Sequence, residues 1–296
     1  MRRVDLLWLD DPAATDPGLT GGKGSALARL APRHTVPPGF CITTTAWSPG
    51  PPTDQPCLTA DLAATVTLAY AQLAVRCGVV APATAVRSSA ADEDGPSASF
   101  AGQHETFLNV SGAEAVLVAV ARCFATAGSE QALAYRRRHG LPTTARMAVV
   151  VQQLVLADVS LVAFSVDPTG AAQGEVLINA AWGLGESVVG GTVTPDTYAV
   201  SRDDPAAVRC TVADKHRMTV ALAEGTAETD VPAFLRRAPT LDLTQASAVA
   251  QLACDLERET GAPVDIECAF RGDRLYLLQC RPITTLGARV AGKGGR

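Results

Sequence analysis

Near the C-terminal end of this 296-residue chain, polar groups alternate with apolar ones along two neighbouring segments. Asp265 and Glu267 alternate with Val264, Ile266 and Cys268; Gln279 and Arg281 alternate with Leu278 and Cys280. A strand sends successive side chains to opposite faces, so each segment carries its polar pair on one face. A three-residue bulged turn around Arg271–Asp273 would close residues 263–281 into a hairpin and bring the two polar faces together. Glu and Gln oxygens suit Mg2+, and a guanidinium suits phosphate oxygens. The face therefore fits a divalent cation with a polyphosphate. The same spacing also fits a solvated sheet face with no ligand.

Other segments offer complementary chemistry. Gly21-Gly22-Lys23-Gly24 opens a helix running to about Leu30. Free N–H groups and the helix dipole favour an anion there, and Lys23 adds a full charge. Glycines are also common at helix starts without any ligand. Arg87-Ser88-Ser89 ends a strand entered at Ala85-Val86, which aims Arg87 either at phosphates or into a structural salt bridge. The acidic stretch Asp92–Ser97 reads as a solvated loop, and Ser99 to Gly102 is small enough to fold over phosphates. Trp182-Gly183-Leu184-Gly185-Glu186 lacks the G-x-G-x-x-G spacing of a dinucleotide fold and reads as a tight loop near a ligand. Only Lys23, Lys215 and Lys293 are lysines, and none precedes Ser or Thr, which excludes a P-loop. The histidines at 34, 104, 139 and 216 have no metal-ligand spacing and read as ordinary surface or core residues.

The elements that must position these groups fall into two halves. Residues 4–9 read as a short strand and Val36 to Thr45 as an extended stretch. Residues 58–77 have helical periodicity, with Leu62, Val66, Ala69, Leu73 and Arg76 on related faces. Residues 113–138 read as one or two helices. Met147–Val155, Leu161–Val166 and Glu175–Ala180 are β-rich. Residues 244–260 form a helix capped by Asp242 or Thr244. The expected organisation is an N-terminal subdomain over 1–146, a C-terminal one over 147–286 and a frayed tail over 287–296.

Composition narrows the function. Hydrophobic residues make up 47% and charged residues 19%, which is a globular rather than a disordered chain. A net charge of −5 argues against general nucleic-acid or anionic-membrane binding. No apolar run approaches a membrane span. Asp5, Asp10 and Asp11 interrupt the first apolar stretch, which argues against a signal peptide. The eight cysteines form no C-x-x-C pair and read as small core residues in a reducing cytoplasm.

In order, the segments GGKGSALARL (21–30), VPPGFCIT (36–43), VRSSAADED (86–94), SFAGQHETFLNV (99–110), MAVVVQQLV (147–155), AAWGLGESVVGGTVTPDTY (180–198) and VDIECAFRGDRLYLLQCRPIT (264–284) resemble the ATP-binding domain shared by phosphoenolpyruvate synthase, pyruvate phosphate dikinase and rifampicin phosphotransferase. The resemblance runs from about residue 18 to 285. It implies an α+β, ATP-grasp-like fold, two subdomains with the nucleotide between them. It also implies that Lys23, Arg87 and Arg281 are catalytic phosphate contacts, and that Ser99 and Gly102 lie in the loop closing over the phosphates. Gln152, Gln153, Leu154 and Val155 become the hinge that meets adenine, and Glu267 and Gln279 the Mg2+ ligands. In such proteins Mg2+·ATP gives its β-phosphate to a histidine of a separate swivelling domain, leaving AMP and phosphate, and a third domain passes the phosphate onward. No segment here resembles the histidine domain or the acceptor-substrate domain, so the chain is expected to be either a stand-alone subunit working with separate partner proteins or an excised domain of a longer protein. Leu161 stands where a glycine is expected, and the region between Ala46 and Ala85 is shorter than usual. A direct ATP-grasp kinase or ligase acting on a small metabolite, and a non-catalytic nucleotide-binding module, are the alternative readings.

Overall fold

The computed structural model describes residues 4–46, 58–91, 106–126, 137–138, 146–168 and 174–283. It is a mixed helix and sheet structure that divides into two compact units: Met1–Leu154 with Leu222–Gly225, and Val155–Ala221 with Thr226–Arg296.

The first unit is built on a five-stranded antiparallel sheet of β1 (Leu6–Trp8), β2 (Gly39–Ile42), β3 (Thr84–Ala90), β4 (Thr106–Val110) and β5 (Met147–Gln153), in the order β1-β2-β5-β3-β4. The central strand is β5. Its MAVVV run is buried on both faces, which is why it carries no polar alternation. On one face lie α2 (Ala60–Cys77) and α3 (Ala113–Thr126), whose Leu62, Val66, Leu73, Val120 and Phe124 pack on Phe40, Val86, Val149 and Val151. On the other face α1 (Pro17–Leu30) sets Leu27 against Cys41 and Val150.

The expected break at residue 146 differs from the observed one at Leu154/Val155. Met147–Gln153 opens the β-rich half of the sequence, yet it pairs with β2 and β3, so it completes the first sheet rather than starting the second.

The second unit has a six-stranded antiparallel sheet, order β13-β12-β6-β7-β8-β9. Its strands are β6 (Val159–Phe164), β7 (Glu175–Trp182), β8 (Asp196–Ser201), β9 (Val208–Thr211), β12 (Val264–Arg271) and β13 (Arg274–Pro282). A separate hairpin pairs β10 (Arg217–Ala221) with β11 (Thr226–Asp230). A short helix α4 (Glu186–Val189) follows β7, and α5 (Leu243–Thr260) packs on one sheet face through Ala246, Val249, Ala253 and Leu256. Asp242 caps α5 in a full capping box with Gln245, and Gly261 ends it in the left-handed conformation. The strands β8–β11 have no counterpart among the sequence expectations.

Among the described residues no helix is long and apolar enough to cross a membrane. The described cysteines are all free; Cys41, Cys123, Cys268 and Cys280 are buried and Cys210 is exposed.

Candidate functional site

In the first unit, the glycine-rich segment does more than open a helix. The helical run starts earlier, at Pro17, with Asp16 as its cap, and breaks at Gly21, where φ is 72° and ψ 177°. A Cβ at Gly21 would stand 2.2 Å from the Ser89 carbonyl oxygen. Only glycine supplies both this backbone and this approach. The close contact straps the start of the second helical stretch to the end of β3. The Ser89 hydroxyl donates to the Thr20 carbonyl at 2.8 Å and accepts from the Gly24 N–H at 3.2 Å. Lys23 is buried, and its Nζ donates to the Ser88 carbonyl at 3.1 Å. Lys23 therefore lies against the residue that follows Arg87, which sits half-buried in β3 opposite Val150. Two positive side chains 64 positions apart in sequence are thus carried by adjoining elements.

Gly21→Ala is expected to cost roughly 3 kcal/mol or more, from left-handed strain plus overpacking against Ser89. Urea unfolding of the variant measures it, and an unchanged midpoint would show that α1 does not depend on this approach.

In the second unit, the hairpin register sets Asp265 opposite Arg281 and Glu267 opposite Gln279. The route to that register differs from the expected three-residue turn. Arg271 pairs with Arg274, so the loop is the two residues Gly272 and Asp273, with Gly272 at φ 55°. Continued regularly, such a loop would set Glu267 opposite Leu278. A bulge between Glu267 and Cys268 shifts the pairing by one. Because a one-residue slip turns every side chain to the other face, this bulge is what joins the two polar pairs on one surface. The opposite face of β12, with Val264, Ile266 and Cys268, is buried in the core. Val162 and Phe164 of β6 adjoin Glu267 and Asp265 on the third strand.

The electrostatics of this face are unusual for carboxylates. Burial, reinforced by the charge of Glu267 and opposed by Arg281, pushes the Asp265 carboxyl up to about 6. Its Oδ1 is buried without a hydrogen-bond partner among the described residues. An orphaned buried oxygen beside a second carboxylate is a site that gains from a cation. Among the described residues no group of three or more His, Cys, Asp or Glu could hold a metal. Magnesium does not need one, since it is commonly held by one or two carboxylates together with substrate phosphates and water. The donor set of Glu267, Gln279 and Asp265 is all oxygen and fits that ion. The alternation of Asp265 with Glu267 places it on this face, although the family resemblance assigns it no role.

Gln152 and Gln153 end β5, with the buried Gln152 Nε2 donating to the Pro37 carbonyl at 3.3 Å. Leu154 is the last residue of the first unit's leading segment and Val155 the first of the second unit. The structure thus places the Gln152–Val155 segment where the chain passes from one unit to the next. Ser99 and Gly102 lie outside the described residues. Lys23 and Arg87 are gathered in the first unit, and Glu267, Gln279 and Arg281 in the second. Leu161 is buried in β6, opposite Cys268 and Ala180.

The glycine loop after β7 is tight for a structural reason. Gly183 has φ 80°, and a Cβ there would stand 2.2 Å from the Thr219 carbonyl oxygen. The loop is bonded to β10 by the Leu184 N–H on the same carbonyl at 2.8 Å.

Known proteins resemble the chain along most of its length. The family model described as "Pyruvate phosphate dikinase, AMP/ATP-binding domain" matches residues 55–293. A probable phosphoenolpyruvate synthase of Methanocaldococcus jannaschii is 35% identical, over 95% of this chain and 27% of its own length. The rifampicin phosphotransferase of Streptomyces sviceus is 36% identical, over 96% of this chain and 36% of its own. The phosphoenolpyruvate synthase of Pyrococcus furiosus is 39% identical, over 76% of this chain and 29% of its own. The chain thus spans about a third of the length of these relatives.

Proposed function

Because the chain belongs to the family of pyruvate phosphate dikinase AMP/ATP-binding domains, we propose that it binds Mg2+·ATP and is the ATP-using component of a phosphotransferase. The β-phosphoryl group passes to a histidine nitrogen on a separate domain or subunit, water takes up the γ-phosphoryl group, and AMP and inorganic phosphate leave. The single observation that carries this reading is the bulge-set hairpin face, with Asp265 and Glu267 opposite Gln279 and Arg281.

The arrangement is ATP-grasp-like in this reading, with the nucleotide bound between the two units. Glu267 and Gln279 hold Mg2+, which supplies charge neutralisation on the phosphate oxygens. Lys23, Arg87 and Arg281 bind and orient the phosphates, with Ser99 and Gly102 in the loop that closes over them. Gln152, Gln153, Leu154 and Val155 meet adenine. Phosphoryl transfer asks a protein for positioning and for charge placed in advance, and three cations with an oxygen-only metal face answer that need. A separate phosphohistidine-domain protein and an acceptor-substrate domain complete the reaction. The names of the relatives make pyruvate or a rifampicin-type antibiotic the kinds of acceptor to test.

Phosphorus NMR of the chain with Mg2+·ATP, with and without a separately supplied phosphohistidine-domain protein, tests the reading. AMP and phosphate are expected only with the added protein. ADP formed from the chain and a small metabolite alone would replace this reading with a direct kinase.

A further inference from the structure

The outward side of α2 has the composition of a buried surface. Leu62, Val66, Ala69, Tyr70 and Leu73 face the core. Opposite them, at helical spacing, stand Ala64, Leu68, Ala71 and Val75, all exposed. At 3.6 residues per turn these four directions fall within about 60° of one another. No charge interrupts the stripe, since Asp61 and Arg76 stand beyond its two ends. Val79 and Val80 follow just past the Gly78 cap. Leu68 is 65% exposed, Val75 82%, Val79 49% and Val80 97%.

A helix that is apolar on both sides is normally covered on both. These side chains leave on the order of 500 Å² of apolar surface in water, at the upper end of what a monomer carries. A standard interface takes about 800 Å² from each partner, and about 65% of a homodimer interface is apolar. The stripe together with Val79 and Val80 has the area of that apolar core.

We propose that this face is an interface between two copies of the chain, with α2 packed antiparallel on its own counterpart. The order of side-chain sizes carries the choice of a second copy. A two-fold axis between positions 69 and 70 sets Leu68 against Ala71 of the second copy and Val75 against Ala64. Every large side chain then meets a small one, so the helix axes approach closely, and the patch is complementary to itself as a two-fold interface requires.

Sedimentation velocity of the full chain over a range of concentrations tests this, with a reversible monomer–dimer equilibrium expected. Leu68→Glu should weaken association by about 100-fold or more, because it buries an unpaired carboxylate at the contact. Helical circular dichroism should stay unchanged, since Leu68 faces away from the core. Ala71→Leu alone should also weaken association by opposing two large side chains, and the double variant L68A/A71L should restore it. A wild-type chain that stays monomeric at every concentration would overturn the proposal and leave the face to another partner. A dimer indifferent to Leu68→Glu, or a size swap that fails to restore association, would overturn it as well.

Discussion

Glu267→Ala is expected to lower Mg2+-dependent ATP turnover, assayed with the partner domains supplied, by at least about 100-fold. Loss of groups that merely support metal ligands costs about 10–100-fold, so loss of a carboxylate that touches the ion should cost more. The protein should remain folded. Glu267 is a like charge beside the buried Asp265, whose carboxyl it helps to push up to about 6, so its removal relieves repulsion rather than breaking a bond. Stability and activity are therefore expected to move independently, which calorimetry and turnover together would show. Raising the Mg2+ concentration should recover part of the lost rate, because the remaining Gln279 and the substrate phosphates still offer oxygens. Lys23→Ala and Arg281→Ala should also depress turnover, but without a change in Mg2+ dependence, since both act on phosphate. A Glu267→Ala enzyme with undiminished Mg2+ dependence would remove this residue from the metal site.

What the sequence makes legible is local. The alternation of Asp265 and Glu267 with apolar neighbours states which side of a strand they occupy, and the helix over 58–77 follows from its periodic Leu62, Val66, Ala69 and Leu73. Register is a different matter. Facing pairs 265/281 and 267/279 are compatible with a three-residue loop and no further irregularity. They are equally compatible with the two-residue loop and internal bulge that the structure contains. Alternation cannot separate these, because the extra residue, Leu278, is apolar and resembles its neighbours. The unit boundary is hidden for a similar reason. Met147–Gln153 reads as a buried strand, and a buried strand carries no mark of the sheet that owns it. The strands β9–β11 are short and rich in Thr, Asp, Glu and Arg, so hydrophobicity does not mark them, and β8 alternates in burial but places the polar Asp196 among its buried positions. The chain has three lysines, and composition alone cannot say that Lys215 is structural.

Lys215 is structural, and the buried ion pair it forms carries the largest stability effects expected in the second unit. Its Nζ lies 2.6 Å from Asp196 Oδ1, and both side chains are fully buried. Both Asp196 oxygens accept further hydrogen bonds: the Ala213 N–H also donates to Oδ1, and the Thr240 N–H donates to Oδ2, each at 2.8 Å. The Lys215 N–H is bonded in turn to the Arg236 carbonyl. One ion pair thereby fixes the approach to β10 and the entry to α5 against β8. Taking two charges out of water is costly, and their attraction offsets that cost only while both remain. Lys215→Met should therefore cost about 3–5 kcal/mol, since it leaves a buried carboxylate without its cation. Asp196→Ala should cost at least as much, because two backbone N–H groups lose their acceptor along with Lys215. In the double variant the orphaned charge disappears, so its cost should fall clearly below the sum of the two single changes. Urea denaturation of the four proteins closes this cycle. Additive costs would mean that the two groups stabilise the fold separately, and that the pair is an incidental contact rather than the joint of this unit.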